Sequence, residues 1–183
     1  MTEERLMSDV PDRPRRHGYE KVLQAIENRW KRRPPERGRM MTHIVDLLWD
    51  AFGNGAFSWC GFYLPSPDGK QLVLGPCRDK PACSPIGMHG VCGRALSTGR
   101  TQLVGDVQAL GDGHIECDPN NRSEIAIPAL DLDGRAFAVL DVDSYAASAF
   151  DELDQRWLER IVRALENAPP PRAETWREES QNT

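Results

Sequence analysis

The chain has 183 residues, 39% of them hydrophobic, enough for one buried core with little left for a second. A formal net charge of -5 argues against nucleic-acid binding, which draws its affinity from clustered Lys and Arg. No apolar run approaches the roughly 20 residues of a bilayer span, and the start MTEERLMSDVPDRPRR lacks the apolar centre of a signal peptide, so a cytoplasmic protein without a membrane partner is expected.

In chain order, residues 1–18 are polar, charged and rich in Pro and Arg, and predict a flexible N-terminal segment. The basic runs RPRR and KRRPPERGR are short and broken by Pro, as solvated surface and linker are. GYEKVLQAIENRW and MMTHIVDLLWDAF space their apolar residues three and four apart, which predicts two amphipathic helices separated at Pro34 and Pro35. FSWCGFYLPSPDGKQLVLGP reads as two short strands about a Pro/Gly turn, followed by CRDKPACSPIGMHGVCG as an irregular loop. GVCGRALSTGR predicts a short helix closed by Gly99, TQLVGDV a further strand, and a long loop then carries Cys117. SEIAIPALDLDGRAFAVLDVDS predicts a hairpin about Asp133 and Gly134, and DELDQRWLERIVRALEN a closing helix with acidic residues in its first turn. Residues 19–166 thus form a single domain, and residues 167–183 a flexible tail. Hairpin connections predict an α+β fold with a mostly antiparallel sheet and helices packed on one face.

A two-residue turn at Asp133 and Gly134 sets Leu132 opposite Arg135, and each outward step keeps that register. Leu130 then faces Phe137, Ala126 faces Asp141, and Glu124 faces Asp143. These six share one side of the sheet, while Ile125, Ile127, Ala138, Leu140 and Val142 share the other. Like charges opposite one another on paired strands are destabilising, so the sheet gains nothing from this placement. Either this end is simply wet, or the acids form a pocket for a cation or a primary ammonium group in which one carboxyl keeps a proton.

Five cysteines, Cys60, Cys77, Cys83, Cys92 and Cys117, sit in a chain expected to be cytoplasmic, where permanent disulfides are disfavoured. An ordinary thiol has a pKa of about 8.5, and Glu116 and Asp118 are expected to push that of Cys117 upward. A reaction that consumes a proton as sulfur attacks suits such a thiol better than one needing a free thiolate. HGVC and HIEC form two His-x-x-Cys pairs, yet no Cys-x-x-Cys knuckle is present, so no metal site and no cofactor are expected. Cys60, inside a strand, is expected in the core.

WCGFYL, LVLGP, PAC, GVCG, HIECD, NRSEIAIP, GRAFAVLDVDS and FDELDQRWLERIV follow the order found in the free methionine-R-sulfoxide reductases, which are built on the GAF fold, and the resemblance spans about residues 19–166. It implies reduction of free L-methionine-(R)-S-oxide, with Cys117 attacking the sulfoxide sulfur and becoming a sulfenic acid. Cys83 or Cys92 then resolves it as a disulfide that thioredoxin reduces, with Cys77 a further candidate. Glu124, Asp141 and Asp143 match the family's acidic substrate-binding residues, and Trp59 and Tyr63 its aromatic wall. CSPIGMHGVCG departs from the family's usual spacing between its first two cysteines. A homodimer through terminal helices is compatible with the resemblance. The competing readings are a non-catalytic GAF module that binds a small ligand, and a redox-sensing or zinc-binding regulator.

Overall fold

The computed structural model describes residues 13–30, 35–53 and 55–170. Helix α1 (Arg13–Trp30) buries Tyr19, Val22 and Ile26 at helical spacing, and α2 (Arg37–Phe52) buries Met40, Met41, Ile44, Val45 and Leu48. Helix α1 begins at Arg13, so residues 13–18, expected in the N-terminal segment, are helical. At the other end Ala168 is buried in the core and the Pro169 carbonyl accepts from the Arg37 amide. The expectations for residues 1–12 and 171–183 lie outside the described residues.

Among the described residues six strands follow: β1 (Trp59–Pro65), β2 (Gln71–Arg78), β3 (Ile86–Gly87), β4 (Gln102–Val104), β5 (Ser123–Leu130) and β6 (Ala136–Ser144). They form one sheet in the order β3-β2-β1-β6-β5-β4, with every pairing antiparallel. The alternation of side chains splits the interior in two. On one side Cys60, Phe62, Ile125, Ile127, Leu140 and Val142 pack with α1, α2 and the closing helix α4 (Glu152–Arg163). On the other, Trp59, Tyr63, Leu72, Ala126 and Val139 pack with α3 (Val91–Thr98). The expectation of helices on one face therefore needs correction: α3 covers the opposite face. Its apolar residues are few, and nothing in so short a segment says which face it covers.

Gly99 closes α3 in the left-handed conformation, at φ 63°, as expected. Asp151 caps α4, accepting from Leu153 N and Asp154 N, while Asp154 accepts from Asp151 N in return. Asp154 also takes Arg15 Nη1 and the Tyr19 hydroxyl, each at 2.9 Å, and so ties α1 to α4 through a buried carboxylate.

The hairpin tip differs from the two-residue turn. Asp131 N donates to Arg135 O, so the loop is Leu132–Asp133–Gly134, with Gly134 at φ 76°. This is the three-residue form, in which a left-handed residue follows a tight turn. The extra residue is compensated at a bulge where Leu130 pairs with Ala136 and Ala129 with Ala138, leaving Phe137 unpaired. Phe137 consequently turns to the helix side, under the Arg37 guanidinium, and not to the acidic side as the simple count predicts. Beyond the bulge the expected register holds, with Glu124 opposite Asp143 and Ala126 opposite Asp141. The loop that carries Cys117 also contains a kinked 3₁₀ segment (Val107–Gly113), which the sequence pattern does not predict. Among the described residues no helix is long and apolar enough to cross a membrane.

Candidate active site

The three carboxylates meet where β5, β6 and β1 run side by side. Glu124 pairs with Asp143, Asp143 with Trp59, and Asp141 with both Ala126 and Gly61. All three are buried, with Glu124 5%, Asp141 7% and Asp143 9% exposed, so the reading of a wet hairpin end is excluded. Glycine at 61 makes room for the aromatic wall: a Cβ there would come within 2.5 Å of the Trp59 ring and 2.7 Å of Cys77 Cβ. Trp59 and Tyr63 lie 6.0 Å apart, ring centre to ring centre, and both line the pocket. Each also holds the cysteine loop. Trp59 Nε1 donates to Lys80 O at 2.7 Å, and the Tyr63 hydroxyl donates to Cys83 O at 2.9 Å.

The remaining walls come from α3 and from the loop between β4 and β5. Helix α3 sets Cys92 Sγ 3.9 Å from Glu124 Oε1. Arg94, also on α3, donates to His89 O and Gly113 O, which fastens the following loop in place. That loop brings His114 Nδ1 to 3.6 Å from Glu124 Oε2 and carries Cys117 to the pocket rim. The Cys117 thiol neighbours Cys83, which favours its protonated form. Asn121 completes the ring, lining the pocket with Asp143 and accepting from Ser58 Oγ at 3.0 Å. Sequence reasoning singles out neither His114 nor Asn121 as a site residue. Asn121 lies two residues before β5, where only its neighbours in space distinguish it from an ordinary loop residue.

Burial disfavours every anion here. It pushes Glu124 up to about 8, with Asp143 adding to the effect, and raises Asp141 and Asp143 well above the usual carboxylate range. Asp141 and Glu124 bring carboxylate oxygens within 4.8 Å of each other in buried surroundings, where two such groups do not readily ionise together. Cys92 is raised by burial and by Asp141 and Glu124. Burial and then the neighbouring Cys83 push Cys117 up to about 12. The direction is the expected one, but its source is not Glu116 and Asp118. Asp118 faces away, held by Lys80 Nζ at 2.8 Å and the Tyr145 hydroxyl at 3.1 Å. The pocket therefore pairs a protonated thiol with carboxyl groups that carry protons near neutral pH, and an arriving cation would draw those protons off.

The other two thiols stand apart from this geometry. Cys60 is in the helix-side core with its Sγ towards Val45 O, and Cys77 is half-buried with its Sγ towards Lys80 O.

A sequence profile of the GAF domain matches residues 36–168. The free methionine-R-sulfoxide reductase of Saccharomyces cerevisiae is 36% identical over 129 residues, covering 68% of this chain and 71% of that protein. Protein YtsP of Bacillus subtilis is 42% identical over 113 residues, 61% of this chain and 68% of that one. Among solved structures, the free methionine-R-sulfoxide reductase of Neisseria meningitidis in complex with its substrate is 39% identical. It has a TM-score of 0.70 over 81% of this chain and 86% of that one. The reduced Staphylococcus aureus fRMsr has a TM-score of 0.72 at 35% identity, over 81% and 92% of the two chains. The chain belongs to the GAF-domain proteins and, within them, to the free methionine-R-sulfoxide reductase family.

Proposed function

We propose that this chain reduces free L-methionine-(R)-S-oxide to L-methionine, with Cys117 as nucleophile and Cys83 as the thiol that resolves it. The observation that carries the reading is a Cys117 thiol beside Cys83 at the mouth of a pocket walled by three buried carboxyl groups. A primary ammonium entering beside Asp141 and Asp143 offsets the burial that keeps them protonated, so a free amino acid suits the pocket. A residue within a peptide chain brings no such charge. Trp59 and Tyr63 line the pocket and suit the apolar end of the substrate.

The Cys117 sulfur attacks the sulfoxide sulfur while a carboxyl group, Glu124 by its position and pKa near 8, protonates the departing oxygen. The thiol proton of Cys117 returns to that carboxylate. The sulfur–sulfur bond so formed then breaks: the methionine sulfur keeps the electron pair and leaves, and the hydroxyl passes to Cys117, which is oxidised to a sulfenic acid as the sulfoxide is reduced. Cys83 then attacks the sulfenic acid, water departs, and a Cys83–Cys117 disulfide remains. A dithiol reductant of the thioredoxin kind restores both thiols, a cycle suited to a reducing compartment. Cys92, enclosed against Glu124 and Asp141, is less well placed to resolve than Cys83.

The test incubates reduced protein with dithiothreitol and the free R epimer, the free S epimer or a peptide-bound sulfoxide. Turnover confined to the free R epimer and lost in Cys117→Ser is expected. Activity that survives Cys117→Ser, or no turnover of the free R form, refutes the proposal.

A further inference from the structure

Cys92, Glu124 and Asp141 each offer one ligand atom, and these atoms lie within 4.8 Å of one another in buried surroundings. His114 Nδ1 stands 3.6 Å from Glu124 Oε2, with its side chain only 14% exposed. Asp141 Oδ1 is buried without a hydrogen-bond partner, and a buried acceptor left unpaired is costly. A primary ammonium satisfies oxygens but has no use for a thiol. A borderline-soft divalent ion accepts sulfur, imidazole nitrogen and carboxylate oxygen together, whereas Mg²⁺ and Ca²⁺ favour oxygen alone.

We propose that the reduced protein binds one divalent transition metal ion, of which Zn²⁺ is the natural candidate, through Cys92, Glu124 and Asp141, with His114 as fourth ligand. Bond lengths of about 2.0–2.3 Å in a tetrahedron set neighbouring ligand atoms roughly 3.3–3.7 Å apart. The 3.9 Å between Cys92 Sγ and Glu124 Oε1 needs only a small side-chain shift to reach this, whereas His114 Nδ1 lies 3.6 Å from the other oxygen, Oε2, and joins the three by a larger swing of its side chain. Binding displaces the protons that these groups hold, and it makes Cys92 a thiolate. The ligands come from α3, the loop before β5, β5 and β6, so their spacing along the chain bears no likeness to a zinc knuckle. On the substrate reading proposed above, the ion and the amino acid claim the same carboxylates, so zinc excludes substrate.

The test titrates chelator-treated, fully reduced protein with Co²⁺ without oxygen, then with Zn²⁺. One equivalent of Co²⁺ is expected to give a thiolate-to-cobalt charge-transfer band and strong tetrahedral d–d absorption, both erased by Zn²⁺. Cys92→Ser is expected to abolish the charge-transfer band and Cys117→Ser to retain it. Glu124→Gln is expected to weaken Co²⁺ binding at least about tenfold, the smallest loss typical even of groups that only support a ligand. No charge-transfer band in the unsubstituted protein, a band that survives Cys92→Ser or vanishes in Cys117→Ser, or undiminished affinity in Glu124→Gln overturns the proposal. Should Cys92→Ser not fold, the Glu124→Gln and Cys117→Ser arms decide it. None of these readouts involves turnover, so failure of the metal site is distinguishable from failure of the reductase reading.

Discussion

Replacing Glu124 with Gln keeps the shape of the side chain and removes its ability to ionise. In the fold Glu124 ionises at about 8, against an ordinary value of 4.5, because burial and then Asp143 disfavour its anion. Between those two values the folded chain holds a proton that the unfolded chain has released. Stability that is fully present below pH 4.5 is therefore lost as pH rises towards 8, at about 1.4 kcal/mol per pH unit. From 4.5 to 8 the penalty accumulates to about 5 kcal/mol for the unsubstituted protein, and the Glu124→Gln variant does not incur it. Urea denaturation of both proteins at several pH values across this interval measures the difference. The two stabilities should be close near the acidic end and diverge steadily, with Glu124→Gln the more stable at pH 8 and impaired in turnover. Stability curves that stay parallel, or a variant that is less stable at high pH, would refute the assignment of a buried, proton-holding Glu124. A gain in stability joined to a loss of activity is what a functional group held in an unfavourable place predicts.

On the proposed cycle, Cys83→Ser completes one turnover and stops with Cys117 as a sulfenic acid, detected by mass after trapping with a carbon nucleophile; an unimpaired steady-state rate would assign resolution to another thiol. Asp154→Ala removes the acceptor of the Tyr19 hydroxyl and of Arg15 together with half of the α4 capping box, and should cost about 3 kcal/mol in urea denaturation. Turnover per folded molecule should be unchanged, since Asp154 lies on the helix side of the sheet. Gly61→Ala drives a Cβ into the Trp59 ring, so it should destabilise by about 1–3 kcal/mol and raise KM as the aromatic wall shifts. Unchanged kinetics would detach Trp59 from substrate binding.

Much of the site is legible in the sequence because strand geometry is periodic. Counting outward from Gly134 places Glu124 opposite Asp143 even though the turn is one residue longer than the count assumes, since the bulge at Phe137 restores the register that the longer loop shifts. Nothing local in DLDGRAF distinguishes a two-residue loop from a three-residue loop followed by a bulge. The position of α3 depends on packing against β5 and β6, and the 3₁₀ segment is too short and polar for a periodic signal. His114 and Asn121 join the pocket through loop conformation alone. The two neighbouring thiols, Cys83 and Cys117, belong to separate loops whose meeting no spacing rule predicts.

That meeting draws attention to the Lys80–Asp118 ion pair, which spans the same two loops three residues before Cys83 and one residue after Cys117. As an exposed pair it adds little to global stability. Its effect on chemistry is different in kind. On the proposed cycle, tying the loops together raises the effective concentration of one thiol at the other, so that ring closure between them competes with capture of the oxidised sulfur by a thiol from solution. Breaking the pair should change which sulfur partner wins long before it changes whether the protein is folded.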